Sequence, residues 1–166
     1  MGNRVIENTP PILLVFNFRG NFAVMELLEK ERDIIRRLLF IENAQERMGV
    51  LMDRAKRSGD LEASEKTEEN QVKGCISRVW IVVSLVEGRC RIRFEAESPM
   101  VKALVALICQ LYDGADPAEV PGFNPVLLEE LHLDRQLSPT RLNGLHQVIE
   151  HIRAQVSELG LKIPNP

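Results

Sequence analysis

Apolar residues recur at three- and four-residue intervals from residue 23 to residue 57: Leu27, Leu28, Ile34, Ile35, Leu38 and Leu39, then Met48, Leu51 and Met52. That spacing stacks them on one side of a helix, and the interruption from Ile41 to Asn43 divides the stretch into two helices. The following run, RSGDLEASEKTEEN, is polar and carries a glycine. It reads as a surface connection over residues 58–72.

The period then changes. Residues 75–86 end in VWIVVSLV, rich in β-branched side chains. They predict a strand with Val79, Ile81, Val83 and Leu85 on one face and Trp80, Val82 and Val86 on the other, covered on both sides. Glu87 and Gly88 signal a tight turn. RCRIRFEAE then alternates strictly, with Cys90, Ile92, Phe94 and Ala96 pointing one way and Arg89, Arg91, Arg93 and Glu95 the other. This is the pattern of a half-buried antiparallel strand, and its arginine row reads as the solvated face of an edge strand.

Helical spacing returns after the hairpin. Ser98 and Pro99 suit the N-cap and first position of a helix whose core face is Leu104, Val105, Ile108, Leu111 and Tyr112. A turn-rich link, DGADPAEVPGFNP, has room for one short helical turn, and VLLEELHL reads as a short amphipathic helix. In the last long helix Ser138 is the cap, Pro139 the start and Gly160 the end, with Leu142, Leu145, Ile149, Ile152, Val156 and Leu159 as its apolar stripe. Helices, a hairpin and more helices predict an α+β domain, a small antiparallel sheet packed against several α-helices. Its expected limits are residues 23–160, with an N-terminal arm over 1–22 and a C-terminal tail over 161–166.

A chain of 166 residues can close a sizeable core without disulfides or metal. The net charge of −3 and sequence pI of about 5.7 argue against general nucleic-acid binding, which needs a basic face. No apolar run approaches the ~20 residues that cross a bilayer. Glu7 and Asn8 interrupt any secretory pattern at the start. The expectation is a cytoplasmic protein with neither membrane nor nucleic acid as partner.

Cys75, Cys90 and Cys109 are too sparse for a disulfide framework, and a reducing compartment fits them. With no CxxC and no HxxxH, no metal site is expected. Cys90 is in register with Ile92 and Phe94, and Cys109 follows Val105 by one helical turn, so both read as small core hydrophobes. Pairing Cys75 with Cys90 conflicts with geometry. The turn sets Cys90 opposite Leu85, and Cys75 precedes Leu85 by ten residues, ~33 Å along a straight strand. A disulfide needs Cα atoms within ~7 Å.

Cys75 stands at a loop edge behind Gly74, which lets another backbone approach closely. Lys73 and Arg78 are near in sequence and would favour a thiolate. The residues alone leave two readings open: a reactive thiol, or a buried cysteine at a strand end. Arg141 also breaks a local rule, because it falls in the first turn of the last helix, where the macrodipole favours acids. It reads either as the partner of a neighbouring acid or as a fixed positive charge near a thiolate or a partner's carboxylate. His146 and His151 are five residues apart and share no face, and His132 lies on the short helix. No Cys–His signature is present.

At EENQVKGCISRVW the sequence resembles the SufE family, the sulfur-acceptor proteins of iron–sulfur cluster assembly, CsdE-type members included. The matching residues are Glu69, Asn70, Val72, Gly74, Cys75, Ser77, Val79 and Trp80. A second block, LSPTRLNGL, matches through Leu137, Ser138, Pro139, Arg141, Gly144 and Leu145, and residues 101–120 between them look like the family's central helix and the link after it. The resemblance covers roughly residues 24–158. The chain departs from the family at Ile76, where glutamine is usual, and at Ser98-Pro99-Met100, where an SDA-like start is usual. The N-terminal arm has no placed counterpart.

The resemblance implies a SufE/NifU-like fold and a sulfur carrier that stimulates a SufS- or CsdA-like cysteine desulfurase. Cys75 would take persulfide sulfur from the desulfurase and pass it to an iron–sulfur scaffold. The PLP belongs to the desulfurase, so no cofactor is expected on this chain. Gly74, Lys73, Asn70, Ser77 and Arg141 are the expected supporting or partner-binding residues. Gly74 and the 58–72 connection are the expected places for the cysteine loop to move. The rivals are CsdE-type transfer to another acceptor, as in tRNA modification, and a desulfurase-binding adaptor that carries no sulfur. A monomer or weak homodimer is expected.

Overall fold

The computed structural model describes residues 23–59 and 61–161. Two helices come first, α1 (Ala23–Leu39) and α2 (Ala44–Ala55), followed by a hairpin of β1 (Val79–Val86) and β2 (Arg89–Ala96). Then come α3 (Pro99–Tyr112), the single-turn α4 (Leu127–Glu130) and the long α5 (Pro139–Leu161). Short 3-10 turns occupy Ala63–Glu65, Val120–Gly122 and Asp134–Gln136. The expected N-terminal arm and nearly all of the expected tail lie outside the described residues.

The hairpin has the register its sequence implies. Leu85 faces Cys90 and Val79 faces Ala96. Glu87 and Gly88 both take positive φ, 52° and 75°, the geometry whose twist suits two antiparallel strands. One face of the sheet carries Val79, Ile81 and Val83 with Cys90, Ile92, Phe94 and Ala96, all buried. α3 packs on β2 and α5 on β1, so these residues and the apolar stripes of α3 and α5 form one core. Each fully buried Ile or Leu contributes about 1.5–3 kcal/mol by leaving water.

Both sheet edges are partly occupied. On β1, Val72 N donates to Val79 O at 2.9 Å and Ile81 N to Asn70 O at 2.9 Å. Further along, the Gln155 side chain of α5 bonds Val83 N at 2.7 Å and Ile81 O at 2.9 Å, taking the place of a neighbouring strand. On β2, Cys90 N donates to Ala115 O at 2.9 Å and Ile92 N to Asp113 Oδ1 at 2.9 Å. These bonds cover part of each edge, which shortens the run of backbone amides that another chain could pair with.

The structure corrects several expectations. The strand begins at Val79, not at Cys75, because β2 gives out opposite it: Val79 pairs with Ala96, and only Glu97 N to Arg78 O, 3.1 Å, continues the ladder. The outer sheet face is covered at one end only. Trp80 is buried beside Lys66 and Arg78 and Val82 is half-buried, whereas Val86 near the turn is exposed, because the helices that pack on the sheet lie on the other side. The 58–72 connection lies largely on the surface as expected, and it is tied down there: Arg93 forks onto Glu65, and Asn70 Nδ2 donates to Glu65 O at 2.8 Å. Gly160 does not end α5, which runs through it to Leu161. Ser98 does sit at the N-cap of α3, but its side chain makes no capping bond.

Three buried charged groups tie distant segments together. Glu31 accepts from Val126 N at 2.6 Å and Leu127 N at 3.0 Å, capping α4 from α1. Glu119 accepts from Leu27 N at 3.1 Å. Arg47 donates to Ile41 O at 2.6 Å and Leu131 O at 2.8 Å. The arginine row is not simply solvated: Arg89 pairs with Glu26, Arg91 with Asp113 and Arg93 with Glu65.

Candidate functional site at the Cys75 loop

Residues 73–78 form a loop held at both ends, by the Val72–Val79 and Arg78–Glu97 backbone bonds. Gly74 turns the chain with φ of 84°, a left-handed conformation costly to any residue with a Cβ. That turn lays the loop against the start of α5. Cys75 is half-buried there, and its Sγ–H donates to the backbone carbonyl of Gly144 at 3.4 Å. A Cβ on Gly144 would stand 3.3 Å from Sγ, so the helix has no room for one without the sulfur moving.

The two sequence blocks, about seventy residues apart, therefore meet at one point. Between them lies a small cleft of about 130 Å³. Cys75, Ile76 and Ser77 form one wall, Thr140, Arg141 and Gly144 of α5 another, and Ser98 and Val101 of α3 reach it as well. Ile76, beside the half-buried cysteine, is 74% exposed. Most of its side chain therefore lies on the outer surface, where it forms an apolar rim to the cleft.

Burial pushes the Cys75 thiol above its ordinary value, and no charged side chain offsets this among the described residues. The nearby cations are engaged elsewhere or turned outward. Lys73 pairs with Glu68 at 3.1 Å, and Arg78 pairs with Glu97 at 2.6 Å while resting over the Trp80 ring. Arg141 is exposed at the cleft with no ion pair among the described residues, and its backbone N–H is capped by Ser138 Oγ at 3.4 Å. In this arrangement Cys75 is a sheltered thiol that holds its proton more tightly than a free cysteine, and a thiol must lose its proton before it can attack.

The expected site residues divide clearly. Cys75, Ser77 and Arg141 share the cleft, and Gly74 makes the turn that sends Cys75 there. Asn70 anchors the base of the loop, through Glu65 O and Ile81 N, and Lys73 stays on the surface. Gly144 was not among the residues given a role from the sequence. The signal for it was a glycine inside a helical pattern, which needs a packing reason because it weakens the helix.

The other cysteines are core residues, as their register implied. Burial first, with help from Asp116 and Asp113, pushes the Cys90 thiol up to about 11, and burial pushes Cys109 higher still. A larger groove of about 340 Å³ runs between α2, α3 and β2, but it shares no lining residue with the Cys75 cleft. Two of its three charged side chains, Arg91 and Asp113, pair with each other at 3.1 Å, and the third is Arg54. The described residues hold no cluster of three or more His, Cys, Asp or Glu side chains suited to a metal ion, and no helix among them is long and apolar enough to cross a membrane.

Known proteins give the same reading of the fold. The solution structure of a hypothetical protein from Thermus thermophilus superposes with a TM-score of 0.67 at 21% identity, covering 80% of this chain and 97% of that one. At that identity the likeness concerns the fold alone. A family model, SufE, described as an Fe-S metabolism associated domain, matches residues 32–156, which include the Cys75 loop, the cleft and most of α5. The chain belongs to the SufE family, with a role in iron–sulfur metabolism.

Proposed function

We propose that this protein is a sulfur carrier, with Cys75 as the residue that accepts sulfane sulfur from a PLP-dependent cysteine desulfurase and hands it to an iron–sulfur scaffold. The observation that carries the proposal is the meeting of the Cys75 loop with Gly144 and Arg141 at one cleft, built from the two blocks through which the chain resembles its family.

The chemistry balances without a redox partner. The Cys75 thiol first gives its proton to solvent. The thiolate attacks the outer sulfur of the desulfurase's cysteine persulfide; a new sulfur–sulfur bond forms on Cys75, the old one breaks, and the desulfurase cysteine leaves as thiolate. The same exchange, with Cys75 as leaving group, passes the sulfur onward. PLP supplies the earlier step, on the desulfurase. Cys90 and Cys109 are buried and their thiols are held protonated, so neither competes as acceptor or resolves the persulfide as a disulfide.

The resting thiol favours storage over attack, so docking must draw the loop out of its cleft. The mobile piece is short. Asn70, Gln71 and Val72 are paired to the sheet, which leaves residues 73–78 to swing, with Gly74 as the hinge. Exposed Ile76 and Arg141 stand at the mouth of the cleft, where a desulfurase would meet them first.

Incubation with a cysteine desulfurase and sulfur-labelled cysteine tests this. Reductant-labile label on the wild type and none on Cys75→Ser is the expected result. Full stimulation of the desulfurase by Cys75→Ser, with no label on the wild type, would make the protein an adaptor instead.

A further inference from the structure

We propose that Gly144 is a positioning residue: the missing side chain at this point of α5 seats the Cys75 sulfur and holds the loop in its resting state. Gly144 lies in the second turn of a long helix, away from either end, and does not take a positive φ. Nothing in the helix itself calls for glycine there, and glycine weakens a helix interior relative to alanine. What calls for it is the neighbour. A Cβ on Gly144 would sit 3.3 Å from Cys75 Sγ, 3.6 Å from its Cα and 3.9 Å from its own Cβ. At Gly49 in α2 and Gly160 in α5, by contrast, an added Cβ meets nothing within 4 Å.

The contact at 3.3 Å forces one side to retreat. The helix cannot: Leu145, Val148 and Ile149, the next residues on its inner side, are buried in the core. The loop can, since its backbone bonds are at its two ends and the 3.4 Å contact of Cys75 Sγ with the Gly144 carbonyl is a weak one. A methyl group at position 144 therefore displaces Cys75, lengthens the 3.4 Å contact between Sγ and the Gly144 carbonyl, and moves the thiol toward water. The consequence for sulfur transfer rests on Cys75 being the acceptor. The effect on the thiol itself does not.

The test is alkylation of the native full-length protein by iodoacetamide, followed by mass spectrometry of each cysteine peptide. Gly144→Ala and Gly144→Val are compared with wild type, and Gly49→Ala serves as a helix-glycine control. Cys75 is expected to react about threefold faster or more in Gly144→Ala and faster again in Gly144→Val, with the pH profile moved toward that of a free cysteine. Gly49→Ala is expected to keep the wild-type rate, and Cys90 and Cys109 to stay unlabelled in all. A Gly144→Ala rate equal to or below wild type overturns the proposal. So does acceleration shared by Cys90 and Cys109, which marks loss of the fold and not release of the loop. No partner takes part, so a failure here is separate from a failure of sulfur transfer.

Discussion

Gly74→Ala places strain on the resting loop and nowhere else. At φ of 84° a side chain costs about 1–2 kcal/mol, the penalty of a left-handed conformation. The new Cβ would lie 3.3 Å from Gln147 Cγ, but Gln147 is exposed and can swing away, so the cost is in the backbone. If the released loop lets residue 74 return to negative φ, all of that cost favours release, and the open fraction rises about 5- to 30-fold. The bonds at Val72 and Arg78 confine the change to residues 73–78. Alkylation of Cys75 in the native protein reads the open fraction directly and should accelerate by that factor, while the Tm falls by only a few degrees. An unchanged or slower rate together with a lowered Tm would refute the reasoning. It would mean that residue 74 stays left-handed in the released loop and that the hinge lies elsewhere.

Three further outcomes follow from the geometry. Replacing Ile76 by glutamine should leave Cys75 alkylation unchanged but weaken desulfurase binding. Re-exposing about three-quarters of an isoleucine costs roughly 1–2 kcal/mol, or about 5- to 30-fold in Kd by titration calorimetry. The alkylation rate of wild-type Cys75 should rise with pH to a midpoint above the ordinary 9.0, because burial raises the folded thiol's pKa; the seated loop binds its proton more tightly than the unfolded chain, so its stability falls as pH rises through that range. Glu31→Ala removes the acceptor for Val126 N and Leu127 N, so stability should fall by roughly 2 kcal/mol with a Tm loss of roughly 4–8 °C, seen by calorimetry, while Cys75 labelling is unaffected.

Local rules made the hairpin legible: alternation set the faces and the two-residue turn set Leu85 opposite Cys90. Helical stripes identified the cores of α3 and α5, and the gap in the apolar pattern at residues 41–43 marked the break before α2, where the structure shows Asn43 as the cap, accepting from Gln45 N at 2.8 Å. What remained hidden depended on distant partners. The strand start depends on where β2 runs out, not on the β-propensity of residues 75–78. Glu31, Arg47 and Glu119 look like surface charges in the sequence, and only the folded chain brings them to the backbone groups that satisfy them. Lys73 and Arg78 were close to Cys75 in sequence, but each has an acid of its own. The Cys75–Gly144 contact spans sixty-nine residues, so Gly144 could be recognised as odd but not assigned its neighbour.

The central claim is that sulfur resides on Cys75. After turnover of a cysteine desulfurase with cysteine and the wild-type protein, mass spectrometry of alkylated peptides should find one added sulfur atom on the Cys75 peptide, removed by reductant. The Cys90 and Cys109 peptides should carry none. An unmodified Cys75 while the desulfurase is stimulated, or sulfur on Cys90 or Cys109 in its place, would contradict the account.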